Sequence, residues 1–191
     1  MLMMKTPRSQ TGAAMIELLV AMLVIAFGAL GFVGLQVKTT VTQLEGYQRS
    51  QALILINDIT ERMSLNRKNA SAYLATNIGV STPTDCSSTG IAALAAGVKQ
   101  ATIDLCEWSA LIQGAAETQG TTNKGAMLGA RGCISAYADA ADPAGTNYLV
   151  SIAWQGIQAS GAPSSTCGSG QYSAENLRRA VNKIVRFASL G

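Results

Sequence analysis

The sequence predicts an α+β protein in which a long N-terminal helix, with a transmembrane half and an amphipathic half, packs on a small antiparallel sheet with one extra helix. Three observations support this fold class. A long apolar run continues into a stretch of helical periodicity, a second stretch has the same period, and later segments alternate apolar and polar residues. We divide the chain into a basic N-terminal segment, the two halves of the helix and a head, at residues 1–12, 13–35, 36–65 and 66–191.

The apolar run from Met15 to Leu35 has 21 residues and a single charge, Glu17. At about 1.5 Å per residue, a helix of this length crosses a bilayer core of roughly 30 Å. A carboxylate at the head of such a span is costly, so Glu17 requires a partner. An uncleaved signal anchor would also explain the run, although a simple anchor gains nothing from this carboxylate. Three glycines favour close helix packing or a soft helix end, at positions Gly28, Gly31 and Gly34.

The helix is predicted to continue beyond the membrane, from Ala14 to Leu65. Apolar residues with a 3.6-residue period extend past the span, namely Val37, Val41, Leu44, Ala52, Leu55, Ile59 and Met63. Asp58 and Arg62 are spaced as a favourable i,i+4 ion pair. The polar cluster at residues 66–69 is predicted to end the helix.

A second amphipathic helix is predicted between two loops, over residues 94–112. Its apolar positions are spaced by three and four residues, at Leu94, Val98, Ala101, Leu105, Trp108 and Ile112. Trp108 is interpreted as a core residue, and Asp104 and Glu107 as solvated surface charges. Residues 77–90 and 114–132 are rich in glycine and polar residues and are predicted to be mostly loop.

The strands are predicted in the C-terminal half of the chain. Residues 132–137 and 147–155 are the best strand candidates, joined as a hairpin by a turn at 139–146 that contains proline and glycine. The Gly/Ser/Pro-rich segment 158–171 is predicted to be a loop. The β-branched and aromatic residues of 178–187 favour an edge strand over a helix.

Composition excludes several functions. The net charge is +3, but without Lys5 and Arg8 in the leader the balance is 12 basic against 11 acidic side chains, so no nucleic-acid partner is expected. The chain has no histidine, which is the commonest general base and metal ligand. We therefore expect no catalytic residues, no metal and no cofactor.

Four cysteines follow the span, and none forms a CxxC pair. Because basic residues precede the span, the N-terminus is expected in the cytoplasm and the head in an oxidising, periplasm-like space, where disulfides form. Four cysteines allow three connectivities. We predict Cys86–Cys106, joining a loop to the second helix, and Cys133–Cys167, joining the strand region to the Gly/Ser loop.

A basic leader that ends in glycine, a glutamate five residues later and a long apolar helix together resemble the class III signal of type IV pilins. The resemblance implies that a prepilin peptidase cuts between Gly12 and Ala13 and methylates the new amine on Ala13. Weaker local similarities to PilV-type minor pilins lie in segments 28–36, 104–108, 132–134 and 150–156. The resemblance is strong over residues 12–36 and patchy in the head.

The resemblance implies a minor pilin that enters a type IV pilus or primes its assembly, with roles in motility and cell adhesion. Its implied partners are other minor and major pilins, the prepilin peptidase, the inner membrane and a tip adhesin. It implies residence in the inner membrane and then on the pilus at the cell surface. Three alternatives stay open: a minor pseudopilin of type II secretion, a membrane-anchored periplasmic enzyme, and a DNA-uptake pilin. The last would use the basic residues Arg178, Arg179, Lys183 and Arg186.

Glu17 is predicted to set the axial register of the assembly. Cleavage after Gly12 would create a positive amine on Ala13, four residues before Glu17. The two groups could interact within one helix, but in a bundle of parallel helices a staggered neighbour's amine could reach Glu17 instead. Charge pairing at low dielectric rewards one register and penalises a slipped one. A polar residue fixes the alignment of a coiled coil in the same way.

Overall fold

The computed structural model of the protein describes residues 11–81, 86–87, 94–114, 118–120, 122–123, 127–138 and 146–187. Most of the predicted leader and residues 139–145 of the predicted hairpin turn lie outside the described residues. The chain divides into two compact units, Met1–Leu44 and Glu45–Gly191. The first contains the apolar part of the N-terminal helix. The second adds the last part of that helix to residues 66–191, and from here on the whole second unit is called the head.

Two α-helices and six β-strands are described, together with two 3₁₀ segments at Arg67–Tyr73 and Glu175–Leu177. The α-helices are α1 (Thr11–Leu65) and α2 (Ala96–Ile112). The strands are β1 (Ala75–Ile78), β2 (Thr118–Gln119), β3 (Thr122–Asn123), β4 (Arg131–Ala136), β5 (Thr146–Gln155) and β6 (Arg178–Phe187). This order confirms the predicted α+β fold class.

Helix α1 ends at Leu65, as its periodicity predicts, and begins at Thr11, three residues before the predicted start. The polar cluster that follows it does end the α-helix. The chain then continues as the 3₁₀ segment Arg67–Tyr73, which the sequence analysis did not predict. Asn69 has non-helical backbone angles (φ −116°, ψ 26°), so the segment is kinked.

Four strands form an antiparallel sheet in the order β1-β4-β5-β6. The predicted hairpin is confirmed, since β4 pairs with β5 in a register that places Ile134 opposite Val150. Strand β6 pairs with β5 over ten residues and lies at one edge, which confirms the predicted edge strand. Strand β1 at the other edge was missed, and the segment predicted as loop before β4 contains the small β2–β3 hairpin.

The core of the head lies between the last turns of α1, helix α2 and one face of the sheet. Helix α1 contributes four fully buried side chains, Ala52, Ile56, Ile59 and Met63. Alternate residues of the sheet meet them, among them Ile134, Val150 and Ile152. Each fully buried large apolar side chain stabilises the fold by about 1.5–3 kcal/mol, so this layer contributes most of the driving force for folding the head.

Trp108 is the largest fully buried side chain, which confirms its predicted role in the core. Its indole Nε1 donates a hydrogen bond to the carbonyl oxygen of Leu55 at 2.9 Å, so helices α1 and α2 are joined at this point. Its ring lies against Gly132 of β4, where a Cβ atom would collide with it. Glycine at 132 therefore lets the sheet approach the indole closely.

Candidate functional site: the apolar N-terminal helix

The first part of α1 presents an apolar surface without cover from the rest of the described chain. Every large apolar side chain from Met15 to Leu35 is more than half exposed. By length and composition, α1 is the one helix in the described part that could cross a membrane; its most apolar 18-residue window has a mean hydropathy of 2.7. An exposed apolar surface of this length requires lipid or another apolar surface around it.

The predicted cleavage and register positions lie at the start of this helix. Gly12 and Ala13 fall in its first turn. Glu17 follows Ala13 by four residues, about one helical turn, and its side chain is exposed. Among residues 14–44, the part of this unit whose side chains are described, Glu17 takes part in no ion pair.

Three glycines further along the helix have empty space where a side chain would lie. A Cβ atom built at Gly28, Gly31 or Gly34 would meet nothing within 4 Å. The described part of the chain therefore gives no packing reason for glycine at these positions. Small residues with open space around them allow a second helix to approach the backbone closely.

After the apolar part of α1, the hydroxyl groups of three threonines form hydrogen bonds within the helix itself. The hydroxyls of Thr39, Thr40 and Thr42 each donate to the carbonyl four residues earlier, at 3.0 Å. These bonds use up the hydroxyl protons within the helix. The hydroxyl groups of these three threonines thus need no acceptor from outside the helix.

In the head, Glu45 connects α1 to the chain after β5. Its Oε1 accepts hydrogen bonds from the backbone N–H groups of Ile157 and Gln158, each at 3.2 Å, and from Arg179 Nη2 at 3.2 Å. Burial alone would raise the pKa of Glu45, but the two N–H groups and the Arg179 guanidinium together outweigh it and lower the pKa. The Glu45 carboxylate is therefore stabilised in its charged form.

A second polar contact joins α1 to β5. The indole Nε1 of Trp154 donates to Gln48 Oε1 at 3.1 Å. Gln48 occupies a position where the helical period predicts an apolar residue, and this bond explains why a polar side chain is tolerated there. Buried indole N–H groups usually require such an acceptor.

Arg62 lies at the centre of a charge network between α1 and α2. The predicted pair with Asp58 is confirmed at 3.1 Å. The same guanidinium also contacts Asp104 at 3.3 Å and Glu107. Burial would lower the pKa of Arg62, but the hydrogen bond that Arg62 donates to Glu107 and the charge of Asp58 outweigh burial and raise the pKa.

The interpretation of Asp104 as a surface charge was wrong. Its side chain is only 6% exposed, whereas that of Glu107 is 47% exposed. Oδ1 of Asp104 accepts a hydrogen bond from Gln100 Nε2 at 2.9 Å, and Oδ2 accepts one from the hydroxyl of Tyr73. Burial, reinforced by this hydrogen bond, raises the pKa of Tyr73 well above its usual range. Asp104 therefore organises the polar part of the α1–α2 interface.

The loop between β5 and β6 is organised by Arg178 on the outer side of the sheet. The Arg178 guanidinium is almost fully buried and donates to the carbonyl oxygens of Ser165, Cys167 and Pro163. It also pairs with Glu175 at 2.6 Å. Since a buried charge is costly without partners, this network provides the partners that the buried guanidinium requires and joins the loop to the start of β6.

Two disulfides are present, and both are pairs that the sequence analysis predicts. One joins Cys86 to α2 through Cys106, and the other joins β4 to the β5–β6 loop through Cys133 and Cys167. No cysteine is free in the part of the chain that the structure describes. The second bond ties the same loop that Arg178 organises.

The described residues of the head form no arrangement typical of an active site. A hollow on the outer face of the sheet is lined by neutral side chains, including Thr76, Ser135 and Ser151, and by the disulfide Cys133–Cys167. Hydroxyls without a neighbouring general base are weak nucleophiles. Among the described residues, no group of three or more His, Cys, Asp or Glu side chains could bind a metal ion.

Comparison with known proteins gives one match. The family model described as Tt1218-like, Type IV pilin Tt1218, matches residues 34–106. This segment runs from the middle of α1 into α2 and covers fewer than half of the 191 residues. No curated protein and no solved structure matches the chain. The chain is thus similar to a type IV pilin over this segment, which supports a pilin role and a structural rather than an enzymatic protein.

Sequence reasoning found the residues of the apolar helix but missed the polar residues that stabilise the head. It singled out Gly12, Ala13, Glu17 and the cysteine pairs. It did not find the role of Glu45, because the partners of this residue lie 112 to 134 positions later in the chain. Only the i,i+4 spacing of Asp58 and Arg62 gave a local signal of the charge network.

Proposed function

We propose that the protein is a minor pilin of a type IV pilus that enters the fibre or primes its assembly. The observation that carries this proposal is the helix α1 itself. Its first part is exposed and apolar with one carboxylate, and its last turns form part of the core of an α+β head. The similarity of residues 34–106 to a type IV pilin supports the same conclusion.

The first step of the proposed function is removal of residues 1–12 by a prepilin peptidase. The peptidase would cut between Gly12 and Ala13 and methylate the new amine on Ala13. Intact-mass measurement of the protein from the membrane of piliated cells should then show a chain that begins at Ala13, with or without one methyl group. Recovery of the full-length chain alone would refute this step.

The second step is insertion into a bundle of parallel helices, with Glu17 paired to the amine of a neighbouring subunit. The membrane would surround the apolar surface from Met15 to Leu35 before assembly, and neighbouring helices would surround it afterwards. Removal of one member of a buried ion pair costs about 3–5 kcal/mol, because the other charge is left without a partner. Helices aligned in the wrong register would carry this cost at every subunit.

A Glu17→Gln substitution tests the register role. We expect the variant protein to be cleaved and disulfide-bonded, to fail to co-purify with other pilins, and to support fewer pili. Glu61→Gln is a matched control, because Glu61 is exposed on the part of α1 that belongs to the head. Normal piliation and normal recovery of partners with Glu17→Gln would contradict the proposed register.

The partners of the proposed function are other minor and major pilins, the prepilin peptidase and a tip adhesin. The protein would lie in the inner membrane, with its N-terminus in the cytoplasm and its head in the periplasm, and would later reach the cell surface on the pilus. Affinity purification of the processed protein followed by mass spectrometry tests this assignment. Recovery of type II secretion components in place of pilus components would assign the protein to a secretion pseudopilus.

A further inference from the structure

The two edges of the main sheet differ in a way that the proposed function does not require. Strand β1 has only four residues, and its register with β4 is irregular between Ala75 and Ile78. Strand β6 has ten residues in unbroken register with β5, from Arg178 to Phe187. Short or irregular edges resist the addition of another strand, whereas long regular ones present a row of backbone groups that can pair.

Of the other devices that usually block an edge, strand β6 carries only charged side chains, which oppose a like-charged partner and favour an oppositely charged one. It contains no proline, and its length exceeds the mean strand length of about 5–6 residues. In the part of the chain that the structure describes, β5 is its only neighbouring strand. Its middle residues, Asn182, Lys183 and Ile184, are all exposed. An extended segment of another protein could therefore reach the free side of β6.

The charge of β6 makes a second copy of this chain a poor partner. The strand contains four basic residues, Arg178, Arg179, Lys183 and Arg186, and no acidic residue. Arg178 and Arg179 are paired with Glu175 and Glu45, but among the described residues Lys183 takes part in no ion pair. A second β6 strand would offer no acidic residue to Lys183 in any register. Like charges on paired strands destabilise a sheet, and opposite charges stabilise it.

The two faces of β6 define the side chains that a partner should carry. Lys183 lies on the face toward α1, where its Nζ donates to Asn57 Oδ1 at 2.8 Å and to Thr60 Oγ1 at 3.1 Å. These acceptors are neutral, so the lysine charge is not neutralised by them. Ile184 lies on the opposite face, next to Leu149 of β5, and is 37% exposed. A strand beside β6 would therefore place alternate residues next to a cation and next to an apolar side chain.

We propose that the free edge of β6 binds an extended segment of a different protein, in which acidic and apolar residues alternate. Backbone hydrogen bonds to β6 supply the affinity, and the alternation of side chains supplies the specificity, as in other cases of strand addition. The inference rests on the sheet alone. It holds or fails independently of whether the chain is a pilin.

The test uses the full chain in detergent and three synthetic eight-residue peptides with blocked ends. The first peptide alternates valine and glutamate, the second alternates valine and lysine, and the third is the first with every backbone nitrogen methylated. We expect the first peptide to slow hydrogen exchange of amides within 178–187 and to leave those of β1 unchanged. The lysine peptide should bind at least about fivefold more weakly, because like charges replace opposite ones.

The methylated peptide separates strand addition from attraction between charges. It carries the same charges, but it cannot form the backbone ladder, so we expect it not to protect β6. Equal binding of this peptide, or no protection of β6 by the glutamate peptide, would overturn the proposal. Protection of β6 that appears without peptide as the chain dimerises would also overturn it, in favour of a second copy.

A charge-reversal variant gives an independent check. Lys183→Glu should weaken binding of the glutamate peptide by at least about fivefold, because the cation beside the incoming strand becomes an anion. Lys68→Glu makes the same change of net charge at an exposed position after α1 and should leave binding unchanged. Equal weakening by both substitutions would show that only the net charge of the protein matters, and would refute a site at β6.

Discussion

Replacement of Asp104 by alanine should destabilise the head far more than replacement of its exposed neighbour Glu107. Asp104 accepts hydrogen bonds from Tyr73 and Gln100 and pairs with Arg62, and its side chain is 6% exposed. Without it, the hydroxyl of the fully buried Tyr73 loses its charged acceptor. A buried polar group without its partner costs about 1–3 kcal/mol.

The size of the effect depends on what remains around Arg62. After Asp104→Ala, the guanidinium still contacts Asp58 and Glu107 and is 26% exposed, so it does not become an isolated buried charge. We therefore expect a loss of about 3 kcal/mol, at the low end of the range for breaking a buried ion pair. For a chain of this size, this corresponds to a fall in the melting temperature of roughly 6–12 °C.

The measurement is denaturant unfolding of the full chain in detergent, followed by fluorescence of the two tryptophans, both of which lie in the head. Asp104→Asn keeps an acceptor for the Tyr73 hydroxyl and should cost less than Asp104→Ala. Glu107→Gln removes an exposed partner of Arg62 and should cost at most about 1 kcal/mol. Equal losses for Asp104→Ala and Glu107→Gln would refute the assignment of Asp104 as the organising residue of the network.

Three further predictions concern the head. The pKa of Glu45 is lowered on folding, so Glu45 contributes fully to stability above its unfolded pKa and loses this contribution as the pH falls through the folded pKa. The Glu45→Gln variant should therefore lose less stability on acidification, as measured by denaturant titrations at several pH values. Gly132→Ala should lower the free energy of unfolding by about 1–3 kcal/mol, because the new Cβ collides with Trp108. An unchanged melting temperature would contradict the close contact between Gly132 and Trp108. Replacement of both Cys133 and Cys167 by serine should lower the free energy of unfolding by about 3–4 kcal/mol, because the disulfide closes a loop with a sequence separation of 34 residues. Non-reducing peptide mapping of the unaltered protein should find these two residues linked.

The fold could be predicted where the signal was local. The helical period placed α1 and α2, and alternation of apolar and polar residues placed β4 and β5, because each pattern lies within one element. Strand β1 was missed because it is only four residues long and contains Asn77, whose positive φ of 59° lies where the register with β4 is irregular. A strand that short has too few residues to show alternation.

The polar side chains could not be assigned in the same way, because burial depends on distant parts of the chain. Asp104 and Glu107 are three residues apart on α2, and nothing in their local sequence distinguishes them. The distinction comes from Arg62 and Tyr73, which lie 42 and 31 residues earlier. A charged residue on a helix is usually solvated, so the expectation was physically reasonable and was overturned by tertiary packing.

Glu17 differs from the carboxylates of the head in the partners that the described residues provide for it. Glu45 and Asp104 lie in partly or largely buried positions, and in both cases the described chain supplies cations and hydrogen-bond donors for them. Glu17 lies in the most apolar part of the chain, yet residues 14–44 supply no ion pair for it. If lipid or neighbouring helices surround this part of α1, as proposed, the residues described for it do not offset the cost of the charge. The proposed function therefore assigns the amine of a neighbouring subunit to Glu17 as its partner.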